Sequence, residues 1–557
     1  MPQARRKIPF SGKAKKQQLQ TKKQNKTLLM PTASGTFAYD VVSINYQPSK
    51  GHRGRDGDRY ALKFYRESDE EVARKKEDAL KELQPVSEKD LEVNSSDYFP
   101  SNVSFPKRPP WDFKMSPAQL DAQEQRYFKN YVDQLQSTSE WRNMLYFELN
   151  LETWRQLWRV LEMCDVLLLI VDVRYAGMMF PPALYNYIVE DQKKSMILVL
   201  NKIDLVPASV VSAWKEHFTQ TYPQLNVVYF TSCPGYNLRG AISDKAGLQV
   251  RRRKGKQRMC AEGAAKILEA CKEIVKGEVD LSSWEKKIKD EMELEFDYDE
   301  SAEVGQTIVE KADTSYYTHE KYKSGVLTIG CVGQPNVGKS SLLNALMGKS
   351  VVSVSKTPGH TKHFQTIFLT PQVRLCDCPG LVFPSTVPRS IQILMGSYPI
   401  AQLREPYTAI RYLAERIDLP QLLRMDHPEG DDSWSPRDIC DGWAKKKGYL
   451  TAKAARLDTY RAANSLLRMA LDGKICLWLR PPGYTDHKEK IEKCEEIKYV
   501  KWVQALTNES VVDELSNSEN EGETAQDNSS DDKESSEDDQ EVQTMIANKF
   551  AALASPE

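Results

Sequence analysis

Hydrophobic and polar positions divide the chain into short apolar runs and longer amphipathic stretches. Val166–Val171, Ser195–Leu200, Asn226–Thr231 and Gly325–Val332 are brief runs rich in β-branched residues, the pattern of strands in a buried sheet. A further run ends at Arg374-Leu-Cys-Asp377 and predicts another strand. Residues 121–163 predict helices. Trp154 and Trp158 fall at i, i+4 with Leu151, Leu157 and Leu161 beside them, an aromatic stripe that reads as core rather than as a ligand site. Ser341–Met347 predicts the opening of a helix, and from 388 to about 480 helices alternate with short turns. The chain therefore predicts an α/β domain followed by a helical one.

Candidate chemistry sits where strands end. The run Gly325–Val332 leads into Gly333-Gln334-Pro335-Asn336-Val337-Gly338-Lys339-Ser340, and a helix follows. This fits G-x-x-x-x-G-K-S in the strand–loop–helix context that a P-loop needs. Gly333 and Gly338 let the loop curl so that its N–H groups converge on phosphates. Asn336, Val337, Gly338, Lys339, Ser340 and Ser341 are expected to line it. The helix N-terminus adds positive potential. Lys339 supplies charge to the β- and γ-phosphates, and Ser340 offers a hydroxyl to Mg²⁺.

Asp377-Cys-Pro-Gly380 closes the last strand. Asp377 is expected to hold Mg²⁺ through a water, and the Gly380 N–H to bond the γ-phosphate. Between the two motifs lies Lys356-Thr-Pro-Gly-His-Thr361-Lys362. Thr361 is the expected third Mg²⁺ ligand in the GTP state, with Thr357 the alternative. Lys339, Thr361 and Gly380 are thus the expected catalytic groups. Leu381 stands where a water-orienting glutamine would be useful, so intrinsic hydrolysis should be slow. Asn336 is compatible with a K⁺ ligand beside the phosphates or with an ordinary loop asparagine satisfied by backbone.

The strand Ser195–Leu200 runs into Asn201-Lys202-Ile203-Asp204. Asp204 can accept from the guanine N1–H and N2 amine. Adenine offers neither, and an unpaired charged acceptor discriminates by roughly 10⁴-fold. Asn201 should bridge base edge and cradle, with the Lys202 stem over the ring. Ser232, after the strand Asn226–Thr231, is either a backbone contact to the guanine carbonyl or an ordinary strand end.

The base reader therefore precedes the cradle. That inverted order resembles the circularly permuted GTPases of the YlqF/YawG and nucleostemin type. The resemblance extends to Asp172-Val-Arg174, where the family carries D-A-R-x-P, and to Pro358-Gly359-His-Thr361-Lys362, Asp377-Cys-Pro-Gly380, Arg461-Ala-Ala463 and Gly473-Lys474. Val173 and Ala176 depart from the family turn. The resemblance covers about residues 140–485. It implies a P-loop G-domain with permuted motif order, GTP/GDP and Mg²⁺ as ligands, and contact with ribosomal RNA or pre-ribosomal particles during large-subunit assembly. A GTP-gated protein–protein switch in signalling or trafficking is the alternative. An adenylate kinase-like P-loop protein would have no use for Asn201 and Asp204.

Permutation sends the second switch directly into the segment after Pro388. That segment is expected to act as the effector, and deletion of 395–485 to leave GTP binding measurable.

The net charge of −1 hides segregation. Residues 1–26 hold nine Lys/Arg and no acid, whereas 509–541 hold fourteen acids and one lysine. The basic arm reads as a nuclear or nucleolar address or an RNA-phosphate contact. The acidic tail is disordered by composition, and its Ser529, Ser530, Ser535 and Ser536 precede acids as acidophilic kinase sites would. A second basic cluster, Arg251-Arg-Arg-Lys-Gly-Lys-Gln-Arg258, and the positive bias of Lys445–Lys447, Lys453, Arg456, Arg461 and Arg468 offer further phosphate contacts. Ten cysteines without a C-x-x-C pair fit a reduced intracellular compartment. The N-terminus lacks the apolar core of a secretion signal, and the longest strongly apolar run is too short for a bilayer. A nuclear or nucleolar monomer, with the cytoplasm as alternative site, is expected. The predicted organisation is a basic arm (1–30), an irregular extension (31–120), a G-domain (121–388) with an insertion at about 234–324, a basic helical domain (389–485) and an acidic tail (486–557).

Overall fold

The computed structural model describes residues 41–44, 62–65, 68–144, 146–231, 256–292, 320–348, 351–352, 365–451 and 456–505. Its centre is a six-stranded sheet: β1 (Val166–Asp172), β2 (Ser195–Asn201), β3 (Asn226–Tyr229), β4 (Leu327–Gly333), β5 (Gln365–Thr370) and β6 (Val373–Asp377). The spatial order is β3-β2-β1-β4-β6-β5. All pairings are parallel except β5 with β6, where β5 forms an antiparallel edge. Every residue of β1 and β4 is buried, as expected of central parallel strands covered on both faces.

The order explains the inverted motifs. From β1 the chain winds outward through β2 to β3; it then re-enters at β4, beside β1, and fills the other half. The order therefore reverses between β1 and β4. Such a reversal opens a crevice at the carboxyl ends of the strands, where ligands bind in open α/β sheets. Register brings the motifs to that crevice: Asp172 lies opposite Asn201, Ile170 opposite Gly333, and Cys331 opposite Asp377.

The covering helices are α1 (Pro117–Gln136), α2 (Leu151–Met163), α3 (Ala208–Thr221), α4 (Lys256–Val275), α5 (Ser282–Met292) and α6 (Lys339–Met347). In α2, Trp154 and Trp158 are core residues as the periodicity predicts, and their indole N–H groups donate to the carbonyls of Glu148 (3.0 Å) and Pro106 (2.7 Å). Each such burial stabilises by about 2–3 kcal/mol.

The insertion at 234–324 carries the helix that the sequence leads one to expect near 261–276, here Lys256–Val275, and that helix belongs to the core of the domain. Helix α4 buries Ala261, Ala264, Ile267, Leu268, Cys271 and Val275 and packs against β3 and α6. Gly263 sits so close to Phe230 that a Cβ there would meet its ring at 2.4 Å.

The C-terminal helices are α7 (Tyr407–Ala414), α8 (Pro436–Lys447), α9 (Thr459–Leu471), α10 (Tyr484–Glu492) and α11 (Glu495–Ala505). Two boundaries differ from expectation. First, one continuous apolar core joins the sheet to α7, α8 and α9, so no packing gap falls at 388. Second, 486–505 is not tail. Helices α10 and α11 pack on α3, and Gln504 donates to the Ile203 (2.7 Å) and Val206 (3.0 Å) carbonyls. The acidic stretch itself lies outside the described residues, as do the basic arm and Arg251–Gly255.

Residues 68–120 of the N-terminal extension lie against this body and include a capped helix at Asp69–Asp78. Arg480 N–H donates to Leu91 O and Val93 N–H to Arg480 O. The extension also clamps the chain leaving Gly380. Thr386 N–H donates to Tyr98 O at 2.9 Å, and Phe383 packs edge-on against Phe105 and Trp154.

Candidate guanine-nucleotide site

The phosphate loop has the curvature predicted, for two different reasons. Gly338 has φ 97°, the left-handed region that only glycine enters without strain. Gly333 is instead needed for close approach: a Cβ would lie 2.3 Å from the Ile170 carbonyl oxygen of β1. Ser340 and Ser341 fall in the first turn of α6. Lys339 is buried, and its ammonium donates to the carbonyls of Gly333 (3.0 Å) and Gln334 (2.7 Å). Burial lowers its pKa, while the Asp377 charge opposes that shift.

Asp377 is fully buried at the end of β6, and neither carboxylate oxygen has a hydrogen-bond partner among the described residues. Burial pushes its pKa up to about 6, against the nearby Lys339 charge and Ser340 hydroxyl. A buried carboxylate compensated only by the nearby Lys339 charge and Ser340 hydroxyl is costly. A hard divalent cation between it and a hydroxyl would satisfy its oxygens, which is the donor chemistry of Mg²⁺. Gly380 lies against Pro335 of the loop, where a Cβ would meet Pro335 Cα at 2.9 Å. Leu381 is buried, and its N–H donates to Gly333 O at 3.2 Å.

The base-reading residues meet this loop directly. Asn201 is buried and donates its amide to Val337 O at 2.7 Å. Lys202 donates to Asn336 O at 2.7 Å and pairs with Asp172 at 2.8 Å. Asp204 is buried and accepts from the Thr231 hydroxyl at 2.8 Å. A carboxylate offers about four acceptor sites, so that bond orients Asp204 without exhausting it. Both Lys202 (φ 62°) and Asn336 (φ 60°) are left-handed, a conformation costing roughly 1–2 kcal/mol for a residue with a side chain. Strain at two residues that bond to each other across the motifs marks a functional site.

Sequence reasoning placed Asn201, Lys202, Asp204, Gly333, Asn336–Ser341, Asp377 and Gly380 together, and the fold gathers them at one crevice. Ser232, Thr357 and Thr361 lie outside the described residues. Four features escaped. Thr231, one residue before Ser232, orients Asp204. Gln334 accepts from the Ser397 hydroxyl at 2.7 Å, and Asn336 donates its side-chain amide to Gly396 O at 2.9 Å. Asp172 joins Lys202 to Arg174. Thr231 had a local signal in its place at a strand end, and Asp172-Val-Arg174 was visible as a turn after a strand though its bond to Lys202 was not; the Gln334 and Asn336 partnerships span long stretches of chain.

A P-loop with a guanine-type reader on a sheet split and rejoined in this order defines a circularly permuted GTP-binding domain. A family model described as a 50S ribosome-binding GTPase matches residues 328–417. Guanine nucleotide-binding protein-like 1 of Homo sapiens is 47% identical over 526 residues, covering 87% of this chain and 86% of that one. GTPase LSG1-2 of Arabidopsis thaliana is 32% identical over 431 residues, covering 75% of this chain and 69% of its own. The GNP-bound crystal structure of YlqF from T. maritima matches at 18% identity and a TM-score of 0.33, over 59% of this chain and 97% of that one. The chain belongs to the guanine nucleotide-binding protein-like 1 family of circularly permuted GTPases.

Proposed function

We propose that the chain is a slow, Mg²⁺-dependent GTP switch acting in assembly of the large ribosomal subunit through RNA contacts. The observation that carries the nucleotide site is the clasp between halves: Asn201 on Val337 O and Lys202 on Asn336 O. In this reading Lys339 and the loop N–H groups bind the phosphates, and Asp204 reads the base. Ser340 and Asp377 would hold Mg²⁺, with Thr361 as third ligand. When bound, the ion neutralises phosphate charge. Leu381 is packed inward and cannot orient a water, which supports slow turnover. The K⁺ reading of Asn336 competes with its bond to Gly396 O. Equal hydrolysis rates in K⁺ and Na⁺ would favour the backbone role.

The ribosomal part rests on the matching family model and on exposed Lys445, Lys446 and Lys447 at the end of α8. The basic arm supports a nuclear or nucleolar location. Among the described residues no helix is long and apolar enough to cross a membrane. Sedimentation of cell lysate on a sucrose gradient tests the assignment. Co-migration with large-subunit precursors, lost on RNase treatment, is expected. Migration as free protein in both conditions would favour a GTP-gated protein–protein switch.

A further inference from the structure

Asp172 ends β1 fully buried, yet it serves two cations. Arg174 approaches it with Nε (3.0 and 3.3 Å to the two oxygens) and with a terminal nitrogen at 2.8 Å. Lys202 reaches the same carboxylate at 2.8 Å. Burial alone would raise the Asp172 pKa, but the two cations outweigh it and keep the carboxyl well below the usual range. Arg174 then directs its other terminal nitrogen to Ala470 O, at the end of α9, at 2.8 Å. Lys202 directs its ammonium to Asn336 O, and the Asn336 side chain donates to Gly396 O. The bonds form a closed relay. It leaves the C-terminal segment at Ala470 in α9, passes through Arg174, Asp172, Lys202 and Asn336, and rejoins that segment at Gly396, ahead of α7.

A buried ion pair is weak evidence of stabilisation, because desolvation offsets the attraction. One arginine would neutralise Asp172. The second cation is itself the lysine of the base-reading motif, in a strained backbone conformation, with a side chain 21% exposed. Held at both ends, its stem cannot swing out into solvent.

We propose that Asp172 and Arg174 are positioning residues for base recognition. Asp172 fixes Lys202 against the phosphate loop. Arg174 ties that fixture to α9, so that guanine preference and seating of the C-terminal helices depend on each other. This rests on the guanine-nucleotide reading of the site, and coupling between two such groups amounts to roughly tenfold in an equilibrium.

The test uses the full chain and a fluorescent GDP analogue displaced by GDP or by ADP. Asp172→Asn strips the buried Arg174 of its counter-charge and is at risk of unfolding. Lys202→Met, at a partly exposed position, keeps the stem and removes only the anchored ammonium. Each variant should lower the GDP-over-ADP preference about tenfold, and the double variant should be no worse than either alone within about threefold. Arg174→Lys, whose single ammonium cannot hold both Asp172 and the Ala470 carbonyl, should quicken backbone amide exchange in 459–471 and lower the GDP-over-ADP preference by about threefold to tenfold; quickened exchange with an unchanged preference would overturn the dependence of one on the other. The positioning role is overturned if Lys202→Met weakens GDP and ADP by the same factor, or if the two losses multiply. The link to the C-terminal helices is overturned if Arg174→Lys leaves exchange in α9 unchanged. Wild-type protein without GDP preference would instead overturn the nucleotide reading on which both rest.

Discussion

The two halves of the sheet treat buried charge in opposite ways. In the base-reading half, Asp172 is held by Arg174 and Lys202, Asn201 bonds the loop, and Asp204 accepts from Thr231. In the phosphate half, Asp377 has no described partner for either oxygen, and Lys339 donates only to loop carbonyls among its described hydrogen bonds. The base reader is organised by its own side chains. The phosphate end holds charges whose best partners are a polyphosphate and a cation. On the proposed reading, base recognition is organised by the fold itself, whereas the phosphate end is completed by its ligand.

The sharpest way to break this comparison is to remove what the base half leans on. Deleting 395–485 takes away Gly396, Ser397 and Ala470 together with much of the shared core. Binding of labelled GDP should then vanish, measured by fluorescence titration. This reverses what the sequence alone suggests, because chain order gives no hint that the segment after the second switch folds back onto the phosphate loop. Binding retained at wild-type strength would show the C-terminal helices to be an appended module after all.

Removing charge from the phosphate half should act on ligand rather than on fold. Lys339→Ala should weaken GTP and GDP by about 100-fold or more, since charge-assisted hydrogen bonds contribute about 1.5–3 kcal/mol each. Its melting temperature without nucleotide should barely fall.

Asp377→Asn should separate stability from binding. The folded pKa of Asp377, about 6, lies above its ordinary value of 3.8. Its contribution to stability is thus fully present below the ordinary value and is lost as pH rises through about 6. At pH 7 the buried carboxylate costs on the order of 2–3 kcal/mol. The asparagine variant should therefore melt a few degrees higher than wild type at pH 7 without nucleotide, and the gap should close at pH 4–5. The same variant should lose the Mg²⁺ dependence of GTP affinity. A lower melting temperature at pH 7 would mean that Asp377 is satisfied in the folded protein.

What was legible in the sequence follows from range. Gly333–Ser341, Asn201–Asp204 and Asp377–Gly380 are local motifs, each at the end of a strand whose apolar run is visible, so their gathering at one sheet edge could be anticipated. Trp154 and Trp158 followed from helical spacing. Gln334 with Ser397, Arg174 with Ala470 and Gln504 with Ile203 are polar pairs spanning 63, 296 and 301 residues. No periodicity encodes such a pairing. The tail boundary failed for a related reason: α10 and α11 carry many charges on their outer faces, and average composition hides Tyr484, Ile491, Ile497 and Val500, which are buried.

The most direct test of the central claim is thermal unfolding of the full chain with Mg²⁺ and either GDP or ADP, beside Asp204→Asn. A built guanine site predicts that GDP at 100 times its Kd stabilises wild type by about 2.7 kcal/mol. ADP should do far less, and the variant should lose most of the difference. Equal stabilisation by GDP and ADP, or a variant indistinguishable from wild type, would contradict it.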